Sequence, residues 1–94
     1  IIYKGLAASE EDGSILIQPN PSNGRFVVGF TNDSKGDVTV EVVNSLGQSV
    51  YAERLSSFQG TYRRELDLKA KGSGVYMINI SGREGLRTYR VVIR

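Results

Sequence analysis

Apolar side chains recur at every second position in several short stretches of the chain, as expected of strands buried on one face. Phe26, Val28 and Phe30 form one such row, and Val38, Val40 and Val42 form another. Val43 interrupts the polar row of its strand, so we expect that end to be covered on both faces. The predicted strands are 14–18, 26–30, 37–44, 48–55, 61–68, 75–80 and 87–93.

Turn-forming residues separate these strands. The clusters at 19–24, 32–36, 44–48, 71–74 and 81–85 are rich in Gly, Pro, Asn and Ser, which favour tight turns and tolerate unusual backbone angles. The 44–48 segment predicts a type I turn closed by Gly47 in the left-handed region. Short strands with a turn every 8–12 residues predict an all-β fold, here a seven-stranded immunoglobulin-like antiparallel β-sandwich.

The alternating positions also predict the core and the domain limits. Residues 1–13 contribute almost nothing to the core, so we expect an exposed linker there and a folded domain over 14–94. The predicted core residues are Ile15, Ile17, Phe26, Val28, Phe30, Val38, Val40, Val42, Val50, Leu66, Leu68, Tyr76, Ile78, Ile80, Val91 and Ile93.

Composition narrows the possible functions. The chain has 94 residues, with no Cys and no His, which excludes a thiolate nucleophile, an imidazole base and a cysteine zinc site. We therefore expect no enzyme activity from the chain. The apolar runs are far shorter than the roughly twenty residues of a membrane-spanning helix.

The remaining candidates for chemistry have simpler structural explanations. Paired carboxylates at Glu10 and Glu11, or at Glu65 and Asp67, are expected on solvated surfaces. One loop offers side-chain oxygens that could bind calcium. It lacks the ligand spacing of a calcium site, and turn formation explains its residues. That loop contains Asn32, Asp33, Ser34 and Asp37. We predict no cofactor and no metal.

Charge and aromatic residues indicate no nucleic-acid partner. The formal net charge is +2, too small for such a partner. Strand alternation places Arg63 and Arg64 on opposite faces, so they do not form one phosphate-binding site. Half-buried packing is the usual role of tyrosines in strands, although ligand binding stays open for them. The strand tyrosines are Tyr51, Tyr62, Tyr76 and Tyr89.

Four motifs, taken in order over about residues 14–94, resemble the C-terminal sorting domains of the type IX secretion system. The 18–26 segment resembles their Pro-Asn-Pro-x-x-Gly signature, and 40–51 resembles a strand, a Leu-Gly turn and a returning strand. The 74–80 segment is similar to their Gly-Val-Tyr strand, and 87–94 to their basic and aliphatic closing strand. The motif residues are Pro19, Asn20, Pro21, Gly24, Gly47, Gly74 and Tyr76.

Two positions depart from the family pattern. Gln18 stands where an aromatic residue often precedes the motif, and Arg90 and Arg94 stand where lysine is usual. Both changes preserve backbone geometry or charge. Arginine nevertheless offers a receptor a different hydrogen-bond geometry from lysine.

The resemblance implies a secretion signal at the end of a longer precursor. It implies an N-terminal cargo domain and export through the type IX translocon, by way of the periplasm, to the cell surface or the medium. The implied partners are an outer-membrane β-barrel shuttle protein and a cell-surface sortase resembling a cysteine peptidase.

Two sites follow from this interpretation. We expect the shuttle and translocon to recognise the closing strand, in which Val91 and Ile93 anchor the strand while the two arginines steer it toward the receptor. We expect the sortase to cut within 6–13, near Ala8 and Ser9, because small and acidic residues predict an accessible segment. The recognition residues are Tyr89, Arg90, Val91, Val92, Ile93 and Arg94. The cleavage region comprises Ala7, Ala8, Ser9 and Glu10.

Other interpretations of the same pattern remain open. An immunoglobulin-like structural or adhesive module of a larger bacterial surface protein would have the same strands and turns, and a carbohydrate-binding module is a third possibility. A plain edge strand with protective basic residues also explains the C-terminal arginines. Isolated domains with free strand edges are expected to be able to pair or exchange strands.

Overall fold

The computed structural model describes residues 15–83 and 85–94 and is built from antiparallel strands. In chain order these are β1 (Ile15–Gln18), β2 (Arg25–Val43), β3 (Ser49–Asp67), β4 (Gly74–Gly82) and β5 (Gly85–Ile93). A short 3₁₀-helix, Lys69–Lys71, connects β3 to β4. The all-β antiparallel prediction is confirmed. Across these residues we find no helix that is both long enough and apolar enough to cross a bilayer.

The strands form one curled sheet around β2. Along one side of β2 runs β3, over nearly its whole length. Along the other side, β1 pairs with the first part of β2 and β4 pairs with its last part. The final strand, β5, pairs with β4 from Gly82↔Gly85 to Gly74↔Ile93, so the end of the chain is part of the sheet.

The described residues form five strands rather than the predicted seven, because the predicted loop 32–36 lies within β2 and the gap 56–60 between two predicted strands lies within β3. The polar 32–36 segment is part of β2, and Asn32↔Gly60 and Gly36↔Phe58 keep β2 and β3 paired through the bend. Register shifts occur at this point, and Gly60 takes a positive φ of 117°, a conformation that glycine adopts without steric cost. The seven separate strands of the immunoglobulin-like sandwich are therefore not observed.

The bend brings the two halves of β3 into contact. Residues nine apart in a straight strand are about 30 Å apart, yet the Tyr62 hydroxyl lies 2.8 Å from Oε1 of Glu53. Phe30 stacks on Tyr62 with 4.8 Å between the ring centroids. The sheet therefore encloses its own core.

The core agrees with the alternating pattern at all but two positions. Val50 is half-buried rather than buried, because it lies beside the register shift where β2 and β3 begin to pair. Tyr62, predicted to be half-buried, is 4% exposed, because the bend folds its ring over Phe30.

The turn between β2 and β3 forms as predicted. The Gly47 amide donates to the Asn44 carbonyl at 2.9 Å, and Gly47 has a φ of 83°. The side chain of Asn44 accepts from the amides of Leu46 and Gln48, both at 2.9 Å. Leu46 is 81% exposed at the tip of this turn.

Candidate functional site

The turn between β1 and β2 lies against the outer edge of β5. The Asn20 side chain donates to the Arg90 carbonyl at 2.8 Å and accepts from the Val92 amide at 3.0 Å. The Ser22 amide donates to the Val92 carbonyl at 2.8 Å, and the Arg94 amide donates to the Ser22 carbonyl at 2.9 Å. Four hydrogen bonds thus close the edge of the last strand, in an arrangement we call the edge clasp (Asn20 and Ser22 against 90–94).

The turn is shaped by its own residues. Both peptide bonds that precede a proline, Gln18–Pro19 and Asn20–Pro21, are cis. The Ser22 hydroxyl donates to the Arg25 carbonyl at 2.6 Å and accepts from the Gly24 amide at 3.0 Å. Ser22 is 3% exposed, and a buried polar side chain with its hydrogen bonds satisfied stabilises the turn rather than weakening it.

Gly24 is required where the turn meets the 3₁₀-helix. Its φ is 123°, and a Cβ at this position would lie 3.2 Å from the backbone of Lys69. The Gly24 carbonyl accepts from the Leu68 amide at 2.8 Å. A side chain would therefore meet both backbone strain and a steric clash here.

Tyr76 fastens the neighbouring connection. Its ring is 3% exposed, and its hydroxyl donates toward the carbonyls of Lys71 and Gly72, at 3.0 Å and 2.6 Å. Two residues earlier, Gly74 pairs with Ile93. The Pro-Asn-Pro turn, the Gly-Val-Tyr strand and the closing strand therefore meet at one end of the sheet.

The predicted recognition residues lie at this end, on a strand that is anchored yet accessible. Val91 and Ile93 are buried, at 0% and 3% exposure. Arg90 and Arg94 are exposed, and Tyr89 and Val92 are half-buried. The predicted cleavage residues Ala7, Ala8, Ser9 and Glu10 lie outside the described residues, as does the 1–13 linker.

Sequence reasoning missed a polar cluster formed by side chains of β3. Glu53 Oε1 accepts from the hydroxyls of Tyr51 and Tyr62 at 2.7 Å and 2.8 Å, and Glu53 Oε2 accepts from Arg64. The Arg64 guanidinium also lies over the Tyr62 ring, 5.6 Å from its centroid. Period-two spacing puts Tyr51 with Glu53, and Tyr62 with Arg64, but nothing local joins the two pairs.

Electrostatics in this cluster favour the charged carboxylate. Burial acts to raise the pKa of Glu53, but the hydrogen bonds from the two tyrosines and the charge of Arg64 outweigh it, so the pKa lies below its ordinary value. Burial raises the pKa of Tyr62, and its phenol stays a hydrogen-bond donor at neutral pH. The cluster is a stabilising bridge across the bend.

In the loop whose oxygens could bind calcium, donors of the protein itself already bind Asp37. The Ser57 amide donates to Asp37 Oδ1 at 3.0 Å, and Arg54 binds Oδ2 at 3.2 Å. The Ser57 amide, followed by Arg54, holds the pKa of Asp37 below its ordinary value. Among residues 15–83 and 85–94, no group of acidic side chains has the arrangement of a metal site.

These features define a small antiparallel domain whose last strand is held by a turn about 70 residues earlier in the chain. The chain matches the secretion system C-terminal sorting domain family over residues 16–94 and belongs to that family. It is thus a type IX C-terminal sorting domain, part of a secreted protein that is exported across the outer membrane and interacts with the type IX secretion machinery. A search of curated proteins found no match.

Proposed function

We propose that the chain is the recognition tag of a type IX cargo, read at its closing strand and removed at the cell surface. In this proposal an outer-membrane β-barrel shuttle and the translocon bind at Tyr89–Arg94, and a cysteine-peptidase-like sortase cuts near Ala8. The domain is a substrate of this machinery and has no enzyme activity of its own. Its N-terminal neighbour is the cargo.

The observation that carries the proposal is the alternation of buried and exposed side chains along β5. Val91 and Ile93 are buried in the sheet, while the exposed Arg90 and Arg94 alternate with them. A receptor meets a strand that is already ordered, so binding costs little conformational entropy. The family match over residues 16–94 supports a sorting role for the domain as a whole.

The edge clasp supports recognition through side chains. A partner strand that added to β5 would need the outward backbone groups of residues 90–94. Asn20 and Ser22 already bond the Arg90 carbonyl, the Val92 amide and carbonyl, and the Arg94 amide. Recognition of this stretch therefore depends on side chains that project from the sheet.

The test is export of a reporter. A folded periplasmic reporter followed by residues 1–94 should reach the medium or cell surface in a bacterium with a type IX system. The reporter without the domain, and the fusion in a strain that lacks the translocon, are the controls and should stay in the periplasm. Equal export of the reporter with and without the domain would contradict the proposal.

The same fusion reports the cut. Mass spectrometry of the released domain should find a new N-terminus within residues 7–10, because small and acidic residues predict an accessible segment there. A domain that begins at Ile15 or later would place the cut inside β1 and contradict the assignment. Deleting Val91–Arg94 is a poor probe of recognition, because the deletion also removes two core residues, Val91 and Ile93.

A further inference from the structure

The outer face of the sheet carries an apolar patch beside β5. Register places Val43 next to Met77, and Val75 next to Val92. Strand alternation turns these four side chains away from the core, since Val42, Tyr76, Ile78 and Val91 beside them are buried. Val75 is 39% exposed and the other three are half-buried. The expectation that this end of β2 is covered on both faces is thus not met among the described residues, since Val43 faces outward and is only half-buried.

Two cations border this patch. Arg90 is the cross-strand neighbour of Met77, and Arg94 continues the same alternation two residues beyond Val92. Both arginines are exposed. Glu41 lies on the same face, two residues before Val43 and opposite Asn79, so the positive charge is concentrated at the β5 side. We call Val43, Val75, Met77, Val92, Arg90 and Arg94 the β4–β5 face.

The opposite outer face lacks this combination. There Arg25 and Asp67 form an ion pair at 3.3 Å, and Arg63 and Glu65 lie two residues apart on the same strand face. Opposite charges are interspersed on that surface, which is typical of a face turned to solvent. The apolar side chains on that surface are Leu16 and Val27, both half-buried, against four at the β4–β5 face. The two outer surfaces of the sheet therefore differ in the number of apolar side chains and in charge balance.

From these observations, and resting on the proposed function, we infer that the β4–β5 face is the surface that docks on the secretion machinery. Its partner is a folded protein subunit that presents an apolar patch bordered by carboxylates. Apolar contact supplies the buried area at the centre, and the arginines pair with carboxylates at its border and steer association. The edge clasp, by closing the β5 edge, leaves this face as the accessible part of the closing strand.

Reporter export with matched variants tests the inference. Arg90→Glu should reduce export of the reporter fusion about thirtyfold, the loss of affinity at the lower limit of an interface hot spot. Arg63→Glu is the matched control, because it reverses the charge of an exposed arginine on the opposite outer face. The control should leave export unchanged.

A second pair of variants tests the apolar part. Val75→Thr combined with Val92→Thr keeps β-branched side chains but adds hydroxyls to the patch, and should also reduce export. Val27→Thr is the control, because it adds a hydroxyl to a half-buried valine on the opposite outer surface and should leave export unchanged. Circular dichroism and thermal unfolding of each purified domain establish that the variants stay folded.

The outcomes separate the two proposals. If the wild-type fusion stays in the periplasm, the proposed function fails, and the docking face fails with it. If the wild type is exported and the folded variants of the β4–β5 face are exported equally well, the docking face is wrong and the sorting function stands. If the variants of both outer surfaces lost export equally, the inference of one specific docking face would also be contradicted.

Discussion

Glu53 connects the two halves of β3 across the bend through its side chain. It accepts hydrogen bonds from Tyr51, Tyr62 and Arg64, and its side chain is 22% exposed. In a partly buried site these charge-assisted hydrogen bonds are stronger than those on a fully hydrated surface. The carboxylate therefore joins the two halves of β3 across the bend.

Replacing Glu53 by Gln should destabilise the domain by about 1–2 kcal/mol at pH 7, because the hydrogen bonds lose their charge. Urea unfolding measures this free energy. The matched control is Glu65→Gln, an exposed glutamate of the same strand, for which we expect a change of about 0.5 kcal/mol or less.

The difference between wild type and Glu53→Gln should shrink in acid. The pKa of Glu53 is lower in the folded state than its ordinary value of 4.5, so the unfolded chain binds the proton first. The charged carboxylate thus stabilises the fold above pH 4.5, and this contribution is lost as pH falls through the folded pKa. A gap that stayed constant from pH 7 to pH 3 would contradict this role.

The turn between β1 and β2 acts as a substitute strand for the edge of β5. Asn20 supplies both an amide donor and a carbonyl acceptor from its side chain, and Ser22 supplies the backbone pair. Free strand edges invite pairing with other chains, and natural proteins usually protect them. The family signature at Pro19–Gly24 therefore has a physical task at a strand that is distant in sequence.

Asn20→Ala should cost about 1–3 kcal/mol in urea unfolding, because it leaves the Arg90 carbonyl and the Val92 amide without their partner. The freed edge should also increase self-association, measured by light scattering. Asn23→Ala is the control in the same turn, because Asn23 makes one exposed hydrogen bond, to the Arg25 amide at 3.2 Å. Equal losses for both variants would mean that the clasp contributes nothing beyond the turn itself.

The outer strand edges of the sheet are not protected equally. Within the described residues β3 pairs with β2 alone, so the long outer edge of β3 has no partner strand. Pairing or strand exchange between isolated domains remains a prediction, and β3 is the edge that a second copy would use. On the other side, the turn covers the edge of β5 over residues 90–94.

Amide hydrogen exchange should follow this asymmetry. The Val92 and Arg94 amides are held by Asn20 and Ser22, whereas the clasp stops short of Thr88, whose amide points the same way by strand alternation. Thr88 should exchange at least about tenfold faster than Val92, because local opening controls exchange. Similar rates would show that the clasp does not protect the strand.

The strands and most of the core were predictable from period-two spacing alone. Phe26, Val28 and Ile78 follow that rule and are buried, because their burial depends on which face of a local strand they occupy. The bend was not predictable. The 32–36 segment has the composition of a loop, yet the Asn32 side chain donates to the carbonyls of Ser34 and Phe58 and replaces backbone bonds lost at the register shifts.

The candidate site divides in the same way. Alternation predicted that Val91 and Ile93 would anchor the closing strand and leave Arg90 and Arg94 outside, and the structure has this arrangement. The partner of that strand came only from the folded chain, since Asn20 and Arg90 are 70 residues apart. The Glu53 cluster likewise joins positions on either side of a bend.

The alternation of side chains, the composition of turns and the family motifs are properties of short stretches of chain. They depend on neighbouring residues, through backbone sterics and the alternation of apolar and polar positions. These were sufficient for the all-β antiparallel class, the turn at Gly47 and the position of the closing strand, but not for the number of strands. The edge clasp, the bridge at Glu53 and the contrast between two outer faces depend on strands that meet after the chain has closed on itself. Because such contacts are decided by packing between distant segments, the tertiary structure alone revealed them.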